Sequence, residues 1–408
     1  MDRYDVLLVR EKHAQLEGLL GRLQADCWII FCREGSDPIT PLVAGNPMVG
    51  EAVFFFDTEG RKVAVVANYD AMALEELDVF DEIWAYGLEG PDKQVRSVLA
   101  RLRPRSIALN FSVSDHLADG LTHGMYLRLT SLLGNDLLRN ALSAEQIVIA
   151  LRAKKSPEEL RRIEQAIHIA EKIFDEIAEY VSPGMTELDV QAFVQSRQAH
   201  YGVEAAFGEG GLICTGHVGI GHRTAGPHLL LPGDVLSVDM GVRYRGYCCD
   251  LTRTFYIPRP GESKAPTSVA RRFEAAMEAA HKAIAVMRPG CLGYEVDAVA
   301  REELRRQGMP EYPHALGHQI GRYPHDGGAL LAPLVPRYSN KGRIPLEEGN
   351  VFTVEPFIYG KTEHDAGHPI GLEENVLVTS KGARLLSTPQ RELIVLRGDS
   401  KICKRRIK

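Results

Sequence analysis

Residues 235–255 read VLSVDMGVRYRGYCCDLTRTF, with Asp239 and Asp250 on either side of a short turn. The apolar and β-branched residues at 235–241 and 247–256 predict two strands closing around Tyr244-Arg245, which lies midway between the two acids. Opposed residues of antiparallel strands have Cβ atoms about 5 Å apart, where like charges repel unless a cation sits between them. A metal pair resolves that conflict, because two ions about 3.5–4 Å apart need bridging oxygen ligands at such a separation. The alternative is a surface hairpin carrying two solvated acids, and a one-residue bulge at Gly241 would undo the opposition.

Downstream, the stretch HALGHQIGRYPH brings His314, His318 and His325 within a dozen residues, followed by Glu355 in VFTVEPFIYG and Glu373 in IGLEENVLVT. With the two Asp residues this gives four carboxylates and one imidazole, a set that suits hard or borderline divalent ions such as manganese and suits structural zinc poorly. His314 and His318 are four apart and share one face of either a helix or a strand; Gly317 and Gly321 favour a strand or an extended turn. A single His among the chain's 14 is most often a satisfied polar residue, but three close together beside a run of acids point to function. A Glu at a strand end is ordinarily solvated. Glu355, however, follows Val351-Phe352-Thr353-Val354, where an unpaired charge is costly to bury.

The two acid-bearing strands resemble each other. LPGDVLSVD (231–239) and EEGNVFTVE (347–355) share the pattern Gly, Asp or Asn, Val, apolar, Ser or Thr, Val, acid. Upstream, Pro183-Gly184 followed by Glu187 and Asp189 has a counterpart in Pro289-Gly290 followed by Glu295 and Asp297. The offsets, 106 for the Pro-Gly pairs and 116 for the acids, differ by one insertion. Each half therefore reads as a helix, a Pro-Gly turn, a second helix and an acid-bearing strand pair, and the two halves enclose a site at their junction.

In order and spacing, the motifs VDMG, DLTRTF, HxxGHxxGxxxH, TVEP and LEENVLVT resemble those of the pita-bread metallopeptidases, a family that includes methionine aminopeptidase, aminopeptidase P, prolidase (Xaa-Pro dipeptidase) and the metal-free relative creatinase. The resemblance implies a pita-bread catalytic domain with an internal pseudo-twofold duplication, preceded by a creatinase-like α/β domain. Carried over by position, it makes Asp239, Asp250, His318, Glu355 and Glu373 the ligands of two divalent ions: manganese, with cobalt, zinc or iron also accommodated. His222, seventeen residues before Asp239, and His325 fall at catalytic histidines. His222 also lies on the substrate side with His314 and Tyr359, and Glu355 doubles as proton shuttle. Thr252, on the Asp250 face, would orient a ligand carboxylate, or is simply a β-branched strand residue. The activity implied is cleavage of the bond before proline in dipeptides. Alternatives are aminopeptidase P action on longer peptides, hydrolysis of another small amide, a metal-free creatinase-like enzyme, and a non-catalytic binding protein of the same fold. One position departs from the family: prolidases and aminopeptidase P carry Arg two before the last ligand Glu, and here Gly371 stands there, leaving Lys341, Arg343, His364 and His368 as substitute anchors for a substrate carboxylate.

Composition bounds the rest. The chain's 408 residues, 45% of them hydrophobic, suffice for two ordinary domains. A net charge of −6 gives no basic footprint for nucleic acid. No apolar run reaches the length of a membrane span, and the N-terminus lacks the apolar stretch of a signal peptide, so the expectation is a cytoplasmic protein without membrane contact. Seven Cys in such a chain read as free thiols, with Cys248 and Cys249 packed in the core. Helical spacing at 12–23 and short buried strands at 27–31, 52–56, 62–66 and 107–109 give an N-terminal α/β domain over 1–153, which the resemblance assigns to homodimer formation and site closure. The catalytic domain runs over 154–398. It opens at Ser156-Pro157 with Glu159 completing a capping box, and continues into a helix with Leu160, Ile163, Ile167, Ala170, Phe174 and Ile177 on one stripe. A basic tail, 399–408, closes the chain.

Overall fold

A computed structural model describes residues 3–45, 48–216, 223–359 and 369–396. The chain divides into two compact units, Met1–Glu159 and Leu160–Lys408. Among the described residues no helix is long and apolar enough to cross a membrane.

The first unit is built on a six-stranded mixed sheet. Its strands are β1 (Cys27–Cys32), β2 (Ala52–Asp57), β3 (Lys62–Ala67), β4 (Glu82–Tyr86), β5 (Ile107–Leu109) and β6 (Leu142–Ser143), in the order β4-β3-β2-β1-β5-β6. β1 and β2 are buried along their whole length, which is why they read as continuous apolar runs. The edge strands β4 and β6 escape the sequence reading because one mixes Glu with half-buried apolar residues and the other is two residues long. The first helix, Arg3–Leu20, begins well before its expected start at residue 12. On it the wholly buried Lys12 donates from Nζ to Leu151 O (2.7 Å) and Lys154 O (2.9 Å) and pairs with Glu159. That ties the helix to the end of Glu145–Ala153, whose last carbonyls need donors.

The helix Pro157–Tyr180 opens with the expected capping box: Ser156 N donates to Glu159 Oε2 (2.7 Å) and Glu159 N to Ser156 Oγ (3.4 Å). Its apolar stripe from Ile163 to Ile177 is buried, and Arg253 of the catalytic sheet lies over the Phe174 ring.

The duplication is visible in the backbone of the second unit. The helices Glu187–His200 and Gly293–Arg306 are equivalent, 106 residues apart at both ends. Ahead of them Gly184 N bonds Leu230 O (2.9 Å) as Gly290 N bonds Leu346 O (2.8 Å), and the return bonds Leu230 N to Met185 O and Leu346 N to Cys291 O are both 2.8 Å. Both glycines sit at positive φ, 88° and 90°, as the turn requires. This alignment corrects one sequence pairing. The residue that caps its helix from the third position is Asp189 in the first half and Glu295 in the second, so Glu187 corresponds to Gly293. Acid-to-acid spacing pairs Glu187 with Glu295, but the helix starts, one residue after Thr186 and Leu292, set the true equivalence.

In the first half β8 (Leu212–Thr215), β9 (Val235–Met240), β12 (Leu251–Tyr256) and β20 (Ile394–Val395) form a sheet in the order β20-β12-β9-β8. The hairpin β9/β12 continues into β10 (Val242–Tyr244) and β11 (Tyr247–Cys248), beside β7 (Glu204–Ala205). Its register differs from the expected one. Tyr244 pairs with Tyr247 around Arg245-Gly246, both at positive φ (48° and 81°), the geometry of a two-residue hairpin turn. The turn centre therefore lies one residue later than read, and Asp239 pairs with Thr252 rather than facing Asp250. The shift is by two residues, so Asp239 and Asp250 keep the same face. The register is the same on both sides of Gly241, so no bulge intervenes; a Cβ on Gly241 would lie 2.0 Å from Cys249 O, which leaves room only for glycine. Cys248 and Cys249 are fully buried, and burial pushes the Cys248 thiol up to about 12. The described cysteines are free.

In the second half β13 (Gly317–His318) pairs with β14 (Leu330–Leu331), β15 (Val351–Val354) with β18 (Glu374–Thr379), β16 (Phe357–Ile358) with β17 (Ile370–Gly371), and β18 with β19 (Gly382–Leu385). The same register runs through β15/β18 and β16/β17, so Glu355 and Glu373, between them, stand directly opposite each other. The alanines at 275, 276, 279, 280 and 283 let the helix Thr267–Val286 lie close to this hairpin, over Phe352, Val354, Ile358 and Val376.

Candidate metal centre

Asp239 is the penultimate residue of β9 and Asp250 precedes β12; Glu355 follows β15 and Glu373 precedes β18. Both hairpins thus present their acids at corresponding strand ends, and they are joined there. Glu373 N bonds Thr252 O (3.2 Å), and the Asn375 side chain brackets Asp250 by accepting from its N–H (3.3 Å) and donating to its carbonyl (2.6 Å). His318 enters from β13, whose Gly317 passes so close to Thr353 that a Cβ would lie 2.0 Å from the Thr353 carbonyl oxygen. The strand reading of the His314 segment holds for His318 in this short β13.

Each of Asp250, His318 and Glu373 offers one ligand atom within 4.8 Å of the others, an arrangement that could hold a metal ion. His318 Nε2 lies 3.5 Å from Glu355 Oε1 and 3.9 Å from Asp250 Oδ2. Asp250 and Glu373 are buried, whereas Asp239, His318 and Glu355 are half-buried. The charges do not balance within the protein. Burial raises the Asp239 carboxyl to about 7. Burial, then repulsion from Asp239 and Glu355, raises Asp250 well above the usual range. Glu355 is raised by burial and Asp239, and Glu373 by burial, Asp250, Glu355 and Asp239. The buried Oδ1 atoms of Asp239 and Asp250 have no hydrogen-bond partner. Buried acceptors are almost always satisfied, and an anionic cluster in low dielectric needs compensating cations. The donor set, carboxylate oxygens plus one imidazole nitrogen, fits divalent ions.

The remaining sequence-predicted residues fall as follows. The His325 ring stands edge-on to that of His318, 4.3 Å between centroids. His314 Nδ1 lies 2.7 Å from Ala315 O, and its ring meets Tyr359 edge-on at 5.9 Å. Burial, with Glu355 and Asp239 nearby, raises the Tyr359 hydroxyl to about 12, so Tyr359 belongs to the same cluster. Thr252 Oγ1 donates to Glu373 Oε2 (3.0 Å). Lys341 and Arg343 sit on a 3-10 turn, Lys341–Arg343. His222, His364, His368 and the basic tail lie outside the described residues.

Three residues were not foreseen. The sequence signal for Asn375 is an amide beside the apolar run of β18. Arg253 and Glu374 form a buried ion pair (3.1 Å) on the opposite face from Thr252 and Glu373, and strand alternation would have separated them.

Residues 161–380 match the model of metallopeptidase family M24. The chain belongs to this family. It is therefore a peptidase of a class that works with divalent metal ions. Among this M24 protein's relatives, the Xaa-Pro dipeptidase of Pyrococcus furiosus is 32% identical over 253 residues, 61% of this chain and 67% of that protein. Among solved structures, an Xaa-Pro dipeptidase from Bacillus anthracis superposes with a TM-score of 0.76 at 21% identity, covering 95% of this chain and 100% of that one. An X-Pro aminopeptidase from Thermotoga maritima does so at 0.72 and 24%, covering 94% and 99%. The M24 chain thus has the expected architecture, an N-terminal α/β domain and a duplicated pita-bread catalytic domain.

Proposed function

We propose that this M24 peptidase hydrolyses the bond preceding proline in dipeptides, using two divalent ions, with manganese the best match to its donor set. The observation that carries the reading is the convergence of four carboxylates and one imidazole around two buried, unpartnered aspartate oxygens. The proline preference is supported by the names of its relatives. Asp239, Asp250, His318, Glu355 and Glu373 hold the ions, which when bound supply Lewis acidity and lower the pKa of water. Glu355, half-buried at the open side of the cluster, takes the proton from water and delivers it to the departing nitrogen. His325 and His222 hydrogen-bond the oxyanion and steady the leaving proline nitrogen, while His314 and Tyr359 line the substrate side. Thr252 fixes the Glu373 carboxylate. Residues 1–153 are assigned to homodimer contact.

The test is a panel of Ala-Pro, Leu-Pro and a Xaa-Pro tripeptide, run with manganese and with zinc, alongside metal analysis. Two ions per chain with fastest turnover of the dipeptides is the expected result. Two bound ions with no Xaa-Pro cleavage would sink the proline reading, and activity that survives complete chelation would sink the metal reading. His222→Ala should keep both ions and slow turnover by about 100-fold or more; an unchanged rate removes His222 from the mechanism.

A further inference from the structure

Phe357 and Gly371 are cross-strand partners one step beyond the opposed pair Glu355 and Glu373. Side chains alternate along a strand, so Phe357 and Gly371 share the face of the two acids, while Ile358, Ile370 and Leu372 turn into the core. A Cβ on Gly371 would lie 2.5 Å from Phe357 Cγ and 2.6 Å from Pro356 O. The aromatic ring is therefore laid across the glycine, an arrangement in which the aromatic replaces the packing the glycine cannot supply. Gly371 O accepts from Thr254 Oγ1 (2.6 Å), which pins the backbone beneath the ring.

Phe357 is buried at 7% exposure but lies outside the apolar core, and its ring neighbours are aromatic: His314 edge-on and Tyr359 tilted, each with its centroid 6.3 Å away. Two arginines whose contacts reach this part of the fold are committed elsewhere. Arg253 spans Glu373 O, Glu374 and Thr388 O, and Arg301 spans Asp297, Tyr312 O and His314 O. Neither of these two arginines is free to reach the Phe357 ring, whose described ring neighbours are His314 and Tyr359.

We propose that Phe357, held over Gly371, is a specificity-determining contact that receives the apolar ring of the residue after the scissile bond, reading its shape. This rests on the Xaa-Pro reading above. It explains in physical terms why position 371 has no side chain: any Cβ there would push the Phe357 ring away.

The test compares kcat/KM for Ala-Pro and Ala-Ala on the manganese-loaded full chain. Phe357→Leu should lower the Ala-Pro to Ala-Ala ratio about tenfold or more, chiefly through KM, with metal content unchanged. Gly371→Ala should act in the same direction, and Phe357→Tyr should keep the wild-type ratio. A Phe357→Leu enzyme that loses both substrates equally, or keeps the wild-type ratio, overturns the inference and leaves the Xaa-Pro reading standing. A wild type without preference for proline overturns that reading and this inference together. Phe357→Leu and Phe357→Tyr both retain a large apolar side chain, so the outcome does not hang on the fold surviving truncation.

Discussion

Glu373 and Glu374 are adjacent acids at the start of β18, and the structure gives them different fates. Glu374 is balanced: Arg253 Nη2 lies 3.1 Å from its Oε2, Gln390 N donates to its Oε1 (2.9 Å), and Ser387 Oγ donates to Oε2. Glu373 has Thr252 Oγ1 on Oε2 and three carboxylates nearby, so its charge calls for a cation. Asp250→Ala and Glu373→Ala should each abolish metal loading and turnover together, as equilibrium dialysis and a peptidase assay would show; a variant that loads both ions contradicts the ligand assignment. Thr252 acts one step out. Thr252→Val keeps the β-branched shape and removes the donor, and such partners typically contribute 10–100-fold to metal affinity or activity. A fall of about tenfold in either is expected, and an unchanged metal titration would return Thr252 to the role of a strand residue.

At the scale of elements, the acids, the duplication and the helix cap at Ser156 were legible because each is written in residue type and spacing. The hairpin register was not, because it depends on which residues accept positive φ. Arg245 does so beside Gly246, and that moved the partner of Asp239 from Asp250 to Thr252. Glu187 shows a second limit. It was noticed only as half of a repeated pattern, yet its helix equivalent is Gly293, and its buried carboxylate makes contacts the other half lacks. Oε1 accepts from Thr215 N (2.6 Å), Thr215 Oγ1 (2.7 Å) and Arg223, and Oε2 from Arg223 Nη1 (2.6 Å) and Gly226 N (2.9 Å). Burial pushes its carboxyl up, but Arg223 and the N–H donors hold it below the usual range. These donors lie far along the chain from residue 187, so no local pattern announces them. Arg223 is 29% exposed, so water can take up its charge, and the cost falls on the buried N–H and hydroxyl of Thr215 left without an acceptor, about 1–3 kcal/mol. Glu187→Ala should destabilise the second unit by that order in urea titrations followed by circular dichroism, and a change below about 1 kcal/mol would show the clamp to be dispensable.

At the scale of the molecule, the two units carry titrating groups of different kinds, and the chain's two tryptophans, Trp28 and Trp84, both lie in the first. His13 is buried there, with Nε2 2.8 Å from Val43 O and its ring edge-on to Phe56 and Phe80. Burial, aided by Lys62, lowers it from 6.5 to about 4 against the opposing pull of Val43 O and Glu17. Because the unfolded chain binds the proton more readily, stability is complete above pH 6.5 and is lost as the pH falls toward 4, by on the order of 3 kcal/mol. Asp37, in the same unit, works the other way: burial raises it to about 6, so the cost of its charge is relieved as the pH falls below that value. The two partly cancel in the wild type, and the contribution of His13 emerges only by difference. His13→Gln keeps a donor for Val43 O and does not titrate. Urea midpoints read by tryptophan fluorescence should therefore fall more steeply from pH 6.5 to 4 in the wild type than in His13→Gln. Parallel pH profiles for the two proteins would mean that His13 is protonated as easily in the folded unit as in the unfolded chain.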